Sequence, residues 1–151
     1  MTKKEIKETR KMLMDALQKD KRWHNAGYNI IYYIGEHEGF QVWDTANADK
    51  TLWVHPDYVL YDTKTNRYKW VMWDEANTLA SILMKKYPEY YSEEAKNKRA
   101  WRIRLNELQR YFIEPDRFFF GDEYVKKKYS KKLEEIYRYK AEAEKEEAEE
   151  D

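Results

Sequence analysis

The chain of 151 residues contains no cysteine, only four glycines and three prolines, and no long apolar run. Without cysteine it can form no disulfide, thiolate metal site or cysteine nucleophile, which suits a reducing cytoplasm. With so few glycines it lacks a phosphate-binding loop and a dinucleotide fingerprint, so we expect no cofactor. The missing apolar run argues against a membrane span. The charged segment Met1–Glu5 differs from the start of a secretory signal, so we expect a cytoplasmic protein.

Aromatic and charged residues dominate what is present. Aromatic residues make up 17 % of the chain, with 14 Tyr and 6 Trp, and charged residues make up 38 %. Disordered chains are poor in aromatic residues, so this composition predicts a folded protein. A chain of this length buries roughly 70 % of the surface that its unfolded form exposes, which is enough for a hydrophobic core.

The net charge of zero conceals an acidic C-terminal end. Residues 141–151 hold seven acids and one base, Lys145, so the remaining 140 residues carry a net charge of +6. This end is interpreted either as a solvated helix end that aids solubility, or as a tail that binds a basic partner or competes with nucleic acid for the basic body. The acids are Glu142, Glu144, Glu146, Glu147, Glu149, Glu150 and Asp151.

The first residues have the pattern of a helix. Thr2 and Glu5 have capping-box spacing, and apolar residues recur at helical intervals up to Leu17. We therefore predict a helix over residues 2–20.

Residues 28–73 change to the pattern of strands, because β-branched and aromatic residues alternate with polar ones. The connections between these runs, such as the turn Asp62–Asn66, are too short for parallel crossovers. We predict four or five strands in antiparallel meander order. The strands expected are residues 28–34, 40–43, 51–54, 58–61 and 67–73.

Helical spacing returns after the sheet. Asp74 has the position of an N-cap for one helix, and Ser92 has that position for the next. Glu114–Asp116 is predicted to break the second of these helices. Phe118–Gly121 is then expected to form a short apolar anchor, and Asp122 to cap a last helix.

The predicted fold class is α+β. It comprises an N-terminal helix, a small antiparallel meander sheet of four to five strands, and three helices including a long C-terminal one. We place an α+β globular domain at residues 1–120, a basic helix at 121–140 and an acidic tail at 141–151.

Alternation along the strands places side chains on two faces of the sheet. One face, with Ile34 and Val42, is expected to be core. The other carries large rings that must be covered by the C-terminal helices or bind a partner. We interpret it as an exposed protein-binding surface, with a second one in the tyrosine-rich loop Tyr87–Tyr91, whose rings could instead pack over the helix junction. The predicted contact residues are Tyr33, Trp43, Trp53, Trp73, Tyr87, Tyr90 and Tyr91.

The residue types that catalysis needs are poorly placed. His24, His37 and His55 lack the spacing of a helical zinc motif, so we interpret them as surface residues. Four aspartates near strand ends could form a carboxylate pair, but acids are so frequent that coincidence explains them better. We predict no enzyme, no catalytic residue and no metal site. The four aspartates are Asp44, Asp57, Asp62 and Asp74.

Basic residues in the last helices are interleaved with tyrosine and tryptophan, which suits phosphate contact and base stacking. Solvated helix faces are the plainer explanation, and no nucleic-acid-binding signature accompanies these residues. Nucleic-acid binding is therefore the alternative function. Its candidate residues are Lys98, Arg99, Arg102, Lys126, Lys127, Lys128 and Lys131.

The last helix also has a narrow apolar stripe, which makes a homodimer through that helix a further prediction. The stripe consists of Val125, Tyr129, Leu133 and Ile136.

In size, aromatic content and charge the chain resembles small proteins of bacteriophages and mobile elements, including anti-CRISPR proteins. The resemblance rests on size and general composition and on no motif, so no functional residue can be transferred from it. It implies that the chain inhibits or modulates a host protein that processes nucleic acid. The leading hypothesis is a small, non-enzymatic cytoplasmic protein that binds such a partner by protein–protein contact.

Overall fold

A computed structural model describes residues 1–26, 30–45 and 56–149, with side chains for 1–23, 30–45 and 56–146. Contacts divide the chain into two units, Met1–Tyr91 and Ser92–Glu149. The boundary predicted at residue 120 falls inside the second unit. The predicted α+β fold class is confirmed, with an N-terminal helix, an antiparallel sheet and then helices that include a long C-terminal one.

In its described residues, the first unit holds a four-stranded sheet and three helices. The strands follow one another in the sheet in chain order and every pair is antiparallel, which confirms the predicted meander. The strand predicted at residues 51–54 lies outside the described residues. The elements are α1 (Lys3–Leu17), α2 (Lys21–Ala26), β1 (Tyr32–His37), β2 (Phe40–Asp44), β3 (Tyr58–Asp62), β4 (Arg67–Val71) and α3 (Trp73–Lys86).

Local chemistry fixes the start of α1 as predicted. The backbone N–H of Glu5 donates to the hydroxyl oxygen of Thr2 at 3.1 Å, and that hydroxyl donates to the Glu5 carboxylate at 3.2 Å. The prediction of Asp74 as an N-cap is wrong, because the cap position is Met72 and has no side-chain cap bond. Asp74 lies instead in the first turn of α3, where its charge complements the helix dipole.

Both faces of the sheet are covered within the first unit. On one face, Val42 and Tyr58 pack with Leu83 of α3, and all three are completely buried. On the other face, Trp43 and Val59 pack with residues of α1 and α2. Two helical layers therefore enclose the sheet, and the rings of its strands contribute to two cores.

A close approach fixes the irregular part of β1. The pairing of β1 with β2 shifts register between Tyr33 and Gly35, and a Cβ atom on Gly35 would lie 2.2 Å from the ring of Tyr87. The Tyr87 hydroxyl accepts the N–H of Glu36 and donates to the Glu36 carbonyl, both at 2.8 Å. A side chain at position 35 would have to displace the Tyr87 ring, which occupies the space of its Cβ atom.

A carboxylate links α1 and α2 to the last strand. Asp20 accepts hydrogen bonds from the Tyr68 hydroxyl at 2.9 Å, the Trp70 indole N–H at 3.1 Å and the Arg22 backbone N–H at 2.9 Å. The Trp70 hydrogen bond is the main cause that lowers the pKa of Asp20. Burial, reinforced by the bond to Asp20, raises the pKa of Tyr68 to about 12.

The second unit is entirely helical in its described part. α4, α5 and α6 each pack against α7. The Ser92 cap is confirmed, because its hydroxyl oxygen accepts the backbone N–H of Ala95 at 3.2 Å. The elements are α4 (Glu93–Arg99), α5 (Trp101–Leu108), a π-helix (Gln109–Ile113), α6 (Glu114–Phe120) and α7 (Asp122–Glu149).

The apolar stripe of α7 forms the core of this unit. Val125 and Tyr129 are buried against Leu108 and Ile113. The dimer predicted through this stripe is therefore not supported, because the same side chains already pack within the chain. The partly buried members of the stripe are Leu133 and Ile136.

The predicted break at Glu114–Asp116 is wrong, because the chain stays helical from Trp101 to Phe120. The backbone N–H of Glu114 donates to the carbonyl of Gln109, five residues earlier. Pro115 follows this wider turn, so the position that lacks an N–H coincides with a local change in hydrogen bonding.

Candidate functional site

The sheet face predicted to bind a partner is interior at its centre. Trp43 is 0 % exposed, and its indole N–H donates to the side-chain oxygen of Gln41 at 3.1 Å. Tyr33 is partly buried, with its ring centroid 5.2 Å from that of Trp43. The prediction of an exposed face is wrong at Trp43, because α1 and α2 bury their own apolar residues against it.

Of the two other tryptophans predicted for this face, Trp73 does not extend it. Trp73 begins α3 rather than ending a strand, and it is 65 % exposed. Val71, the last residue of β4, packs on the opposite side of the sheet with α3. Trp53 lies outside the described residues.

The tyrosines of the loop after α3 pack on the first unit. Tyr87 bonds to Glu36 as described, the Tyr90 hydroxyl donates to Asp44 at 2.6 Å, and the Tyr91 and Tyr58 hydroxyls lie 2.8 Å apart. The rings of Tyr90 and Tyr91 meet edge to face at 5.0 Å. These contacts agree with the alternative interpretation of the loop, in which its rings pack within the fold and do not form a protein-binding surface.

The carboxylates and histidines form no reactive cluster among the described residues. Asp44 and Asp57 are buried, and Asp57 forms an ion pair with Arg22 at 3.0 Å. Burial raises the pKa of Asp57, and Arg22 partly offsets this rise. Within the described ranges no three acids or histidines come close enough to hold a metal ion. The His24 side chain and His55 lie outside those ranges, and His37 Nε2 is 3.7 Å from the Glu38 carboxylate.

The basic residues predicted to bind nucleic acid do not share one environment. Lys98 pairs with Glu146 at 2.7 Å, and this bond is the main cause that raises the pKa of Lys98. The guanidinium of Arg102 lies 5.2 Å from the centre of the Trp101 ring. Arg99 is partly buried, and Lys128 pairs with an acid of α6. Within this candidate set, Lys126, Lys127 and Lys131 are exposed and have no ion pair among the described residues.

A run of exposed aromatic residues lies instead in the second unit, around the end of α6. Phe118, Phe119 and Phe120 are 83 %, 72 % and 62 % exposed, and Tyr124 at the start of α7 is 40 % exposed. Successive ring centroids lie 5.1, 6.4 and 4.7 Å apart. We call these four residues the aromatic ridge.

Fixed contacts hold the ridge in place. Gly121 turns the chain between α6 and α7 at a φ of 87°, a conformation that favours glycine. Below the turn, Asp116 accepts hydrogen bonds from the Tyr129 hydroxyl and from Lys128. The Tyr129 bond is the main cause that lowers the pKa of Asp116. The ridge is thus presented on two tied helices.

Charges of both signs surround the ridge. Arg117 and Asp122 form an ion pair at 3.0 Å. Glu123 and Lys127 are exposed and have no ion pair within the described residues. Any surface that covers the rings must therefore accommodate acidic and basic side chains side by side.

The π-helix carries two more exposed rings, Tyr111 at 63 % and Phe112 at 55 %. Tyr111 and Phe118 are seven residues apart on one continuous helical run, a separation of about 10 Å along the axis. π-helical turns are rare and occur often at functional sites, so this distortion supports a functional role for the surface around α6.

A cleft of about 370 Å³ lies between α5 with the π-helix and α7. Its walls combine aromatic and aliphatic side chains with two acids and two bases. We call it the helical cleft. Its lining residues are Asn97, Trp101, Arg104, Glu107, Leu108, Phe112, Lys132, Glu135, Ile136 and Tyr139.

Sequence reasoning missed the ridge because it interpreted Phe118–Gly121 as a short apolar anchor and not as a contact surface. A signal was present, since three successive residues of a helix span about 200° of its circumference. A surface helix buries a stripe of roughly 100°, so at least one ring of such a run points to solvent.

The fold and the ridge define a two-unit α+β chain that presents an aromatic surface on its helical unit. Neither a family model, a curated protein nor a solved structure matches the chain. Among the helices of the described residues, none combines the length and the apolar character needed to cross a membrane.

Proposed function

We propose that the chain is a non-enzymatic binding protein that acts by protein–protein contact through the aromatic ridge. The observation that carries this proposal is the exposure of Phe118, Phe119 and Phe120 at 83 %, 72 % and 62 %. With aromatic side chains of 150–250 Å² each, the four rings of the ridge present about 500 Å² to solvent. A patch of this size equals the largest apolar patch of a typical monomer, and such patches are often functional.

The geometry of the rings favours a protein over nucleic acid as the partner. Neighbouring ring planes are inclined at 89°, 53° and 40°, so the rings pack on one another and leave no parallel slot for a base. Charges of both signs lie beside the rings, from the Arg117–Asp122 pair, Glu123 and Lys127. A mixed surface of this kind suits the polar rim of a protein partner, which can offer both signs.

The test compares the wild-type chain with the double variant Phe118→Ala/Phe119→Ala. Both rings are highly exposed, so the variant is expected to keep the fold, checked by circular dichroism. The tagged chains are incubated with lysate of the source cells, with and without nuclease treatment, and a protein that the wild type captures from the treated lysate is then purified. We expect its affinity for the double variant, measured by calorimetry, to fall by at least about 30-fold.

Tyr137→Ala is the matched control, because Tyr137 is also an exposed ring of the helical unit, at 46 %, but is not part of the ridge. The control should bind as the wild type does. Equal binding by the wild type and the double variant would refute the ridge as the contact surface. Capture that disappears on nuclease treatment would favour the nucleic-acid alternative instead.

A further inference from the structure

A stretch of one charge sign covers the end of α4 and the start of α5. Residues 95–106 contain five bases and no acid, unlike the surroundings of the aromatic ridge, where both signs occur. Residues 141–151, with seven acids and one base, carry an opposite charge of similar size. We call residues 95–106 the basic segment. Its bases are Lys96, Lys98, Arg99, Arg102 and Arg104.

The C-terminal part of α7 lies against this segment. A carboxylate oxygen of Glu146 is 2.7 Å from the ammonium nitrogen of Lys98. Arg138 joins the two helices a second time, because its guanidinium lies 3.4 Å from Glu94 of α4 and 3.3 Å from Glu142 of α7. We call this part of α7 the acidic end. Its acids with described side chains are Glu142, Glu144 and Glu146.

The contact between α4 and the acidic end depends on charge. α4 buries none of its residues, so no apolar core of its own fixes it to α7. The Lys98 side chain is 24 % exposed, and its bond to Glu146, with the attraction of Glu142 and Glu94, raises the pKa of Lys98. A partly buried ion pair is screened less by salt than an exposed one. The pair therefore persists at moderate ionic strength, but it is a contact that another anion can replace.

We propose that the acidic end of α7 is an internal competitor for the basic segment, and that the phosphate backbone of a nucleic acid binds this segment when the acidic end is displaced. The inference is independent of the aromatic ridge and goes beyond the proposed function. Because the competitor belongs to the same chain, its effective concentration at the segment is on the order of millimolar or more. The intact chain is therefore expected to bind nucleic acid weakly.

The composition of the segment favours nucleic acid over a membrane surface. Lysine and arginine side chains without intervening acids suit phosphate contacts, which supply most of the affinity in non-specific nucleic-acid binding. A helix that lies in a membrane interface needs a large apolar face. α4 contains no large apolar side chain, so it lacks such a face.

Two double variants with the same change in net charge test the competition. Glu142→Gln/Glu146→Gln neutralises the two acids that face α4. Glu134→Gln/Glu144→Gln is the matched control, because Glu134 is exposed without an ion pair in the described residues and Glu144 pairs within α7, with Lys140 at 3.9 Å. The full chains are titrated against a short fluorescent oligothymidine strand, and binding is followed by fluorescence anisotropy. Circular dichroism checks that each variant keeps its helical content.

We expect weak binding by the wild type and at least about 10-fold tighter binding by Glu142→Gln/Glu146→Gln, since its basic segment is no longer occupied. The control should gain less than about 3-fold, from net charge alone. Adding Lys98→Gln/Arg102→Gln to the first variant should abolish its gain. Added salt should also reduce the gain, because each phosphate contact to a single strand contributes about −0.7 to the slope of log affinity against log salt.

Equal gains by the two double variants would overturn the proposal, because only the net charge would then matter. A gain that persists after Lys98→Gln/Arg102→Gln would place the binding outside the basic segment and would overturn it as well. The same holds if none of the chains binds the strand. Binding of the first variant to phosphatidylserine vesicles but not to oligothymidine would overturn the assignment to nucleic acid in favour of a membrane surface.

Discussion

Replacing Trp43 by alanine should destabilise the first unit severely, because this ring is central to the core between the sheet and α1. Trp43 is completely buried, and its N–H bonds to the side chain of Gln41 at 3.1 Å. A tryptophan-to-alanine change in a core costs about 3–5 kcal/mol. The orphaned oxygen of Gln41, itself 7 % exposed, adds to this cost.

This loss is a large fraction of the total free energy of unfolding of a small domain, which is about 5–15 kcal/mol. A change of 3 kcal/mol corresponds to a rise of roughly 100-fold in the population of the open state. Native-state hydrogen exchange of the full chain measures it at the amides of β2 and β3, which report on the first unit separately. The amides of the second unit serve as an internal reference.

Trp73→Ala is the matched control for this experiment. Trp73 is 65 % exposed, so its truncation should change exchange of the same amides by less than about 1 kcal/mol. Equal effects of the two substitutions would refute the reasoning. A Trp43→Ala chain with unchanged protection that loses partner binding would restore the sheet face as the contact surface.

Two further predictions concern the first unit. Gly35→Ala should lower the free energy of unfolding by about 2–4 kcal/mol, because the new methyl group displaces the Tyr87 ring and its bonds to Glu36. Urea denaturation of Gly35→Ala, Tyr87→Ala and the double variant tests this cause. If the losses of stability from the two substitutions simply add, the contact with Tyr87 is not the reason for the loss. Asp20→Asn should cost about 1.5–3 kcal/mol at neutral pH through its weakened bonds to Tyr68 and Trp70. Since folding lowers the pKa of Asp20, its contribution is present above the ordinary carboxyl value of 3.8 and is lost as pH falls through the folded value. The difference in the free energy of unfolding between the variant and the wild type should therefore become smaller in acid. A difference that does not change with pH would show that the charge of Asp20 does not contribute to stability.

Much of the fold could be predicted because local patterns determine it. Thr2 and Ser92 cap their helices as expected, since each cap depends on a hydrogen bond within three residues. The meander follows from connections too short to cross the sheet. These features need no knowledge of tertiary packing.

The candidate site could not be predicted in the same way. Alternation placed Trp43 on the correct face, but it does not say which helix covers that face, and α1 does so. Pro115 was expected to end a helix, yet the π-helix before it adapts the hydrogen bonding. The exposure of Phe118–Phe120 depends on where α7 packs, which is a property of the folded unit.

The most direct test of the aromatic ridge is site-specific photo-crosslinking. Phe119 is replaced by p-benzoylphenylalanine in the full chain, with the same replacement at Tyr137 as the control, and cells that produce the chain are irradiated. We predict a light-dependent protein adduct from position 119 and none from position 137, with an adduct of two 18.7 kDa chains if the partner is a second copy. Equal or absent adducts at both positions would contradict the assignment of the ridge as the contact surface.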